Sequence, residues 1–289
     1  MSGSGDPAGG RLYVVATPIG NLGDVTLRAL EVLRSMPLIA AEDTRLSRRL
    51  LERNGIETRT ISYHARSGSG RLAQLLDHLR SGADLALVTD AGTPLVSDPG
   101  ADLVAAWAAE GGAVVPIPGA SSVLAALVAS GVAGPRWSFE GFLPRSGRDR
   151  RDRLARIAAD DRATVVFEAP GRVAATLGDL AAGCGPDRPA AVCRELTKLH
   201  EEAVRGTLGE LAEAARNGEL TLRGEFVIVV GQGSPDRGAP ENAAAEGIEA
   251  ALAEVERLVS GGSSRSDAAR QVAAATGIPR RRLYVAPDR

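Results

Sequence analysis

Lysine is almost missing from this 289-residue chain: Lys198 is the single lysine among 34 lysine and arginine residues. Arginine is thus the default cation here. A lone ammonium, compact and able to shed its proton when buried, marks either a site that a guanidinium cannot serve or an accident of composition. Cysteine is scarce as well. Cys184 and Cys193 lack a Cys-x-x-Cys spacing and exclude a disulfide framework, so both read as small core residues. The three histidines, His64, His78 and His200, form no zinc-type pattern, and no metal is expected. Aromatics make up 3% of the residues, which predicts aliphatic cores. No uncharged apolar run approaches the roughly 20 residues of a membrane span. The start "MSGSGDPAGG" has no apolar signal region, so the chain reads as cytoplasmic with a disordered segment over residues 1–10. A net charge of -2 excludes a nonspecific cationic coat for nucleic acid but permits local basic patches.

What is present is an alternation of short apolar runs with helical patterns. "LYVVA", "PLIAA", "DLALVT", "AVVPI", "ATVVFEA", "AAVCREL" and "EFVIVV" read as strands, and "DVTLRALEVLRS" and "GRVAATLGDLAAG" as helices between them. The class is α/β. The Gly- and Pro-containing "SGVAGPRW" places a boundary between two α/β domains, residues 11–134 and 135–233. After the linker-like "GQGSPDRGAPENAAAEG" the pattern becomes purely helical, giving a tail over 242–289. Its basic end, with Arg280 and Arg281 after a turn at Gly277 and Pro279, reads either as a helix-turn-helix-like contact for nucleic acid or as a pair of bracing helices.

Ligands of open α/β sheets sit outside the carboxyl ends of the strands, which directs attention to three loops. "TPIGNLGD" carries Gly20 and Gly23, but it is not the G-x-G-x-x-G of dinucleotide binders. "DAGTPLVSDPG" runs from Asp90 to Gly100; its Asp98-Pro99 reads as the N-cap and first residue of the next helix, whereas Asp90 has no such structural role. "PIPGASS" puts Ser121 and Ser122 where their hydroxyls either cap a helix or hold a ligand carboxylate at its N-terminus.

Together with "AEDTR", "GFLP" and "RELTKLHEE", these loops occur in an order that resembles the bacterial 16S ribosomal RNA cytidine 2′-O-methyltransferases, a family within the tetrapyrrole methylase superfamily. The resemblance runs from Leu12 to about Val230, and the tail is similar to the extension of the RNA-modifying branch. It implies two α/β domains with S-adenosylmethionine in the cleft between them. By the same resemblance, Pro18, Asp90, Ala91, Gly92, Thr93, Ser121, Ser122, Phe167 and Glu168 are implied to bind that cofactor. The substrate implied is 16S ribosomal RNA in the small ribosomal subunit near the decoding site, and a homodimer is the implied assembly. One departure is visible: the G-D-P loop of tetrapyrrole methylases is replaced by Asp90-Ala91-Gly92-Thr93-Pro94, which moves the substrate away from porphyrins and leaves cofactor use intact.

Methylating a ribose hydroxyl from a sulfonium donor needs alignment, a proton acceptor and a cation beside the developing alkoxide. Lys198 is the candidate cation. In an extended segment Arg194, Leu196 and Lys198 would share one face, with Glu195 on the other, and Glu195 is the companion catalytic candidate. Asp43 of "AEDTR" is either an alternative acid or the cap of the following helix. His64 stands in a loop as an incidental or substrate-side residue. The six arginines of "PRSGRDRRDRLAR" suit RNA phosphates, although Asp149 and Asp152 also suit a self-neutralised helix; Arg145 and Arg148, in the loop before that helix, are the better phosphate contacts. A tetrapyrrole C-methyltransferase and a non-catalytic RNA-docking module remain as alternatives.

Overall fold

The computed structural model describes residues 9–233, 241–276, 278 and 280–283, and of 241–250, 281 and 282 the backbone alone. The expected disordered start before Gly9, the linker segment 234–240, the turn residues Gly277 and Pro279, and the Arg281 side chain lie outside the described residues. Two compact units result, one ending at Gln232 and one starting at Gly233, so both α/β sheets belong to a single unit.

The first sheet contains β1 (Leu12–Val15), β2 (Ile39–Ala41), β3 (Thr60–Ser62), β4 (Leu85–Val88) and β5 (Val114–Ile117), ordered β3-β2-β4-β1-β5 and parallel throughout. Its crossover helices are α1 (Leu27–Ser35), α2 (Thr44–Arg53), α3 (Ser69–Arg80) and α4 (Ala101–Ala109). Helices cover both faces, which is why the central strands are continuous apolar runs. Leu12, Val14, Leu85 and Leu87 enter one core, whereas Val15, Ala86 and Val88 enter the other, as the period of two requires. Because the strands are all parallel, the loops after β1, β2, β4 and β5 emerge at one edge.

After α5 (Ser122–Ser130) comes the second sheet: β6 (Trp137–Phe142), β7 (Ala163–Glu168), β8 (Pro189–Arg194), β9 (Glu202–Thr207) and β10 (Phe226–Val230), ordered β6-β7-β10-β8-β9. Only β6 and β7 pair in parallel. Its helices are α6 (Gly147–Ala159), α7 (Val173–Cys184) and α8 (Leu208–Asn217), the last opened by a Thr207–Glu210 capping box. Val123 and Ala126 of α5 pack against Val165, Cys193, Val227 and Val229, fastening α5 to the second sheet. Arg188, almost fully buried, donates to the carbonyls of Ile157, Asp160, Arg162 and Gly231 and ties three chain segments together.

Register brings chemistry to one end of this sheet. Phe142 pairs with Phe167, and Glu168, Phe226, Arg194 and Glu202 form the adjoining row across four strands. Three strands were not foreseen. β3 has three partly buried residues, β6 is bulged between Phe139 and Gly141, and β9 is a largely polar edge strand.

The second unit has α9 (Glu241–Ser260), α10 (Arg265–Thr276) and the short α11 (Arg280–Leu283) around Val255, Ala268, Ala269, Val272 and Leu283. Its arginines are largely engaged within it: Arg257 pairs with Glu254, Arg265 with Glu256 and Arg270 with Asp267, while Arg280 donates to Ser266 Oγ at 2.7 Å.

Candidate active site

The three strand-end loops of the first sheet are stitched to one another. Thr17 and Gly92 exchange backbone hydrogen bonds of 2.9 and 3.0 Å, and Thr93 Oγ1 donates to the Ala120 carbonyl at 3.2 Å. Ser121 is the N-cap of α5 and accepts from Leu124 N–H, so its hydroxyl is the capping one. The Asp98-Pro99 pair does not cap α4. Gly100 holds that position at φ 115°, packed so closely on Leu87 that a Cβ would lie 2.6 Å from its side chain, and Leu95 and Ser97 adopt φ 75° and 68° to bring the chain there.

A carboxylate group collects beneath these loops. Thr89 Oγ1 donates to Glu42 Oε2 at 2.6 Å, and Asp43 N–H donates to Asp90 Oδ1 at 2.8 Å. Asp43 is the N-cap of α2; hydrogen bonds from the Arg45 side chain and backbone hold it at about 2, which makes it a poor proton acceptor. Burial raises Asp90. It pushes Asp98 up to about 6, with the charges of Glu42 and Asp90 adding to the effect.

The second sheet supplies an aromatic wall. The chain has four phenylalanines, all in this sheet: Phe142, Phe167 and Phe226 line a cavity, and Phe139 stacks edge-on against Phe167 at 4.9 Å. The Glu168 carboxylate turns away from that cavity, where it is fully buried and engaged by Arg172, Thr176 Oγ1 and Ala169 N–H. Arg150 and Arg172 bind the carbonyl of Pro144, fixing the stretch that presents Arg145. Arg145 and Arg148 are exposed, but Gly147 at φ 84° opens α6 early. Arg148 therefore sits in the helix rather than before it, 3.4 Å from Asp152.

Lys198 is not on an extended segment. The strand ends at Arg194, Glu195 and Thr197 take φ 50° and 66°, and the chain turns, so the expected sharing of a face by Arg194, Leu196 and Lys198 does not arise. Lys198 Nζ instead lies 2.9 Å from Glu195 Oε1 and 3.0 Å from Glu225 Oε2. Burial opposes the charge, but the two carboxylates outweigh it and the Lys198 pKa is raised, contrary to the depressed value a proton-shedding lysine would need. Glu195 is lowered by Lys198 and by the Glu225 N–H. The first sheet braces this turn: Asn21 N–H donates to Thr197 Oγ1 at 3.1 Å, and a Cβ on Gly20 would lie 2.4 Å from Lys198 Cγ.

Between the two sheet ends lies a cavity of about 350 Å³, within the range of small-molecule sites. Ala91, Gly92, Thr93, Ser121, Ser122, Phe167 and Glu168 line it, as do Asp98, Phe142, Gly224 and Glu225. Pro18 is buried, and Asp90 is exposed as a residue although its carboxyl group is partly shielded from water; neither reaches the lining. Glu225 links the cavity to Lys198, and no motif singled it out in the sequence. The confinement of every phenylalanine to three short stretches, "WSFEGF", "ATVVFEA" and "EFVIVV", was the available signal for the aromatic wall. Such a lining accommodates a flat heterocycle against the rings, hydroxyl groups beside the serines and a cation near the carboxylates. His64 is exposed and its Nδ1 accepts from Arg66 N–H within its own loop.

The profile of one protein family, Tetrapyrrole (Corrin/Porphyrin) Methylases, matches residues 11–212. The chain is 46% identical over 275 residues to "Ribosomal RNA small subunit methyltransferase I" of Synechocystis, covering 95% of this chain and 96% of that one. It is 40% identical over 284 residues to the protein of the same name from Bacillus subtilis, with 98% and 96% covered. Among solved structures, a cobalt precorrin-4 methyltransferase superposes with a TM-score of 0.59 at 21% identity, covering 76% of this chain and 94% of that one. Uroporphyrin-III C-methyltransferase from Thermus thermophilus, complexed with S-adenyl homocysteine, gives 0.56 at 23% identity, with 77% and 97% covered; these two likenesses concern the fold.

Proposed function

The chain belongs to the tetrapyrrole (corrin/porphyrin) methylase family, and from that premise we propose that it transfers a methyl group from S-adenosylmethionine to the ribose 2′-hydroxyl of a cytidine in 16S ribosomal RNA of the small subunit. The observation that carries this reading is the near-full-length similarity to relatives named for small-subunit ribosomal RNA methylation, which extends past residue 212 into the helical tail. The cavity lining suits the cofactor: phenylalanine faces for the adenine, small residues at Ala91 and Gly92 for close approach, and carboxylates for a cation. Bound there, S-adenosylmethionine supplies a methyl group already activated by its sulfonium.

The chain's own residues then have to orient the hydroxyl and move its proton. Lys198 is a standing cation with three N–H donors, of which Glu195 and Glu225 take two, leaving one for a ribose oxygen. Glu225 borders both the cavity and Lys198 with a mostly exposed side chain, and it is the preferred proton-acceptor candidate over Glu195, whose carboxyl the Lys198 hydrogen bond holds low. Asp43, bound to Arg45, is left with the helix-capping role. Arg145 and Arg148 serve phosphates, supported by their exposure, and the exposed Arg280 of the tail is a separate phosphate candidate.

In this reading the methylase halves are residues 11–134 and 135–233, with the tail at 242–289 as an accessory; the two sheets sharing one compact unit suits a site built by both halves. Exposed Leu124 and Val128 on α5, together with Leu199, support a second copy of the chain as partner, in a cytoplasmic homodimer. Offering labelled S-adenosylmethionine with either small subunits or a tetrapyrrole tests the reading. Label in the RNA is expected, and label only in the tetrapyrrole would overturn it.

A further inference from the structure

We propose that Asp98 receives the ammonium group of the cofactor's methionine portion, an inference that rests on the reading of the cavity as an S-adenosylmethionine site. Three acidic residues line the cavity. Glu168 is turned away and paired with Arg172, and Glu225 is paired with Lys198. Asp98 has no cationic partner among the described residues, and α4 makes no use of its carboxylate because Gly100 occupies the cap. The backbone pays for presenting it: Ser97, immediately before it, is held at φ 68°, a conformation that a non-glycine residue keeps only where its surroundings enforce it.

The charges around Asp98 ask for a cation. Glu42 from the end of β2 and Asp90 from the end of β4 face it, while Glu225 borders the same cavity. The nearby Arg45 is bound to Asp43, and Thr89, whose hydroxyl lies 2.6 Å from Glu42 Oε2 and also reaches the Asp98 carboxyl, brings no positive charge to either. A neutral diol would leave these carboxylates repelling one another, whereas an ammonium relieves the crowding. Burial first, and then the neighbouring charges of Glu42 and Asp90, outweigh the Thr89 hydrogen bond and explain why free Asp98 holds its proton up to about pH 6. Binding an ammonium favours the ionised form, so the site should release a proton as it fills, about half a proton per site at pH 6.

Calorimetry on the full chain with S-adenosylhomocysteine, which has the ammonium, and 5′-methylthioadenosine, which lacks it, tests this in parent and Asp98→Asn proteins. In the parent, S-adenosylhomocysteine affinity should rise between pH 5 and 7 with proton release at pH 6. In Asp98→Asn that affinity should fall about tenfold or more at pH 7.5 and lose its pH dependence, while methylthioadenosine binds both proteins equally, which also reports an intact cavity. Unchanged S-adenosylhomocysteine binding in the variant, or equal loss of both ligands, would overturn the ammonium contact. Failure of the parent to bind either ligand would overturn the cofactor reading and this inference together.

Discussion

Glu195 and Glu225 meet one residue beyond the last paired row of the second sheet, where Glu225 N–H donates to Glu195 Oε1 at 2.9 Å and Lys198 Nζ bridges the two carboxylates. Lys198 is therefore a positive charge fixed in place. Lys198→Arg should fail nearly as badly as Lys198→Ala, because a planar guanidinium cannot place one compact donor between two carboxylates and a ribose oxygen. A loss of about 10²- to 10³-fold in single-turnover methylation with saturating cofactor is expected for both. Near-parental turnover by Lys198→Arg would make the lone lysine a compositional accident.

Glu195→Gln removes one of the two carboxylates that raise Lys198 while leaving burial, which lowers it. The alkaline limb of the pH–rate profile should move to lower pH in this variant. An alkaline limb that stays in place would mean that Lys198 does not govern it.

Gly20→Ala would place a methyl group against Lys198 Cγ and about the Leu196 carbonyl, on a residue far from Lys198 in sequence. Turnover should fall with cofactor affinity retained. Gly224→Ala adds a positive-φ cost of about 1 kcal/mol or more and collides with the Glu195 carboxylate, so it should also lower the melting temperature. Two variants with parental rates would show that the turn shifts freely.

Asp98 is raised in the folded chain, so the stability it contributes is complete below the unfolded aspartate pKa of about 4 and is lost as pH rises through about 6. Cofactor-free Asp98→Asn should consequently melt higher than the parent at pH 8 and no higher at pH 4. Thermal melts that differ equally at both pH values would contradict this sign.

Arg145→Ala should weaken binding to the small subunit and reduce the salt slope by about one unit without touching cofactor affinity. Arg148→Ala should do less, because Asp152 already accompanies that guanidinium. Identical salt slopes for Arg145→Ala and parent would place Arg145 outside the RNA contact.

The sequence made the α/β class and most central strands legible because runs such as "DLALVT" and "EFVIVV" are buried on both faces. It did not reveal β9, whose edge position tolerates Glu202 and Arg205, or β6, whose bulge between Phe139 and Gly141 breaks the alternation. Seven of the nine residues proposed to bind cofactor line the cavity: five stand in or directly after loops that follow parallel strands ending at one edge of the first sheet, and Phe167 and Glu168 close β7 of the second. Asp98 was misread because Asp-Pro is a good local cap, and the closer packing of Gly100 on Leu87 overrides that preference. Glu225 precedes its strand without a motif, and only the antiparallel register of β8 and β10 brings it beside Glu195.

The most direct measurement is nucleoside mass analysis of 16S ribosomal RNA after incubation of unmodified small subunits with this protein and S-adenosylmethionine. A single new 2′-O-methylcytidine, absent when Lys198→Ala replaces the parent, is the predicted result. Methyl groups on a base, or none in the RNA while the protein binds cofactor, would contradict the proposed ribose methylation.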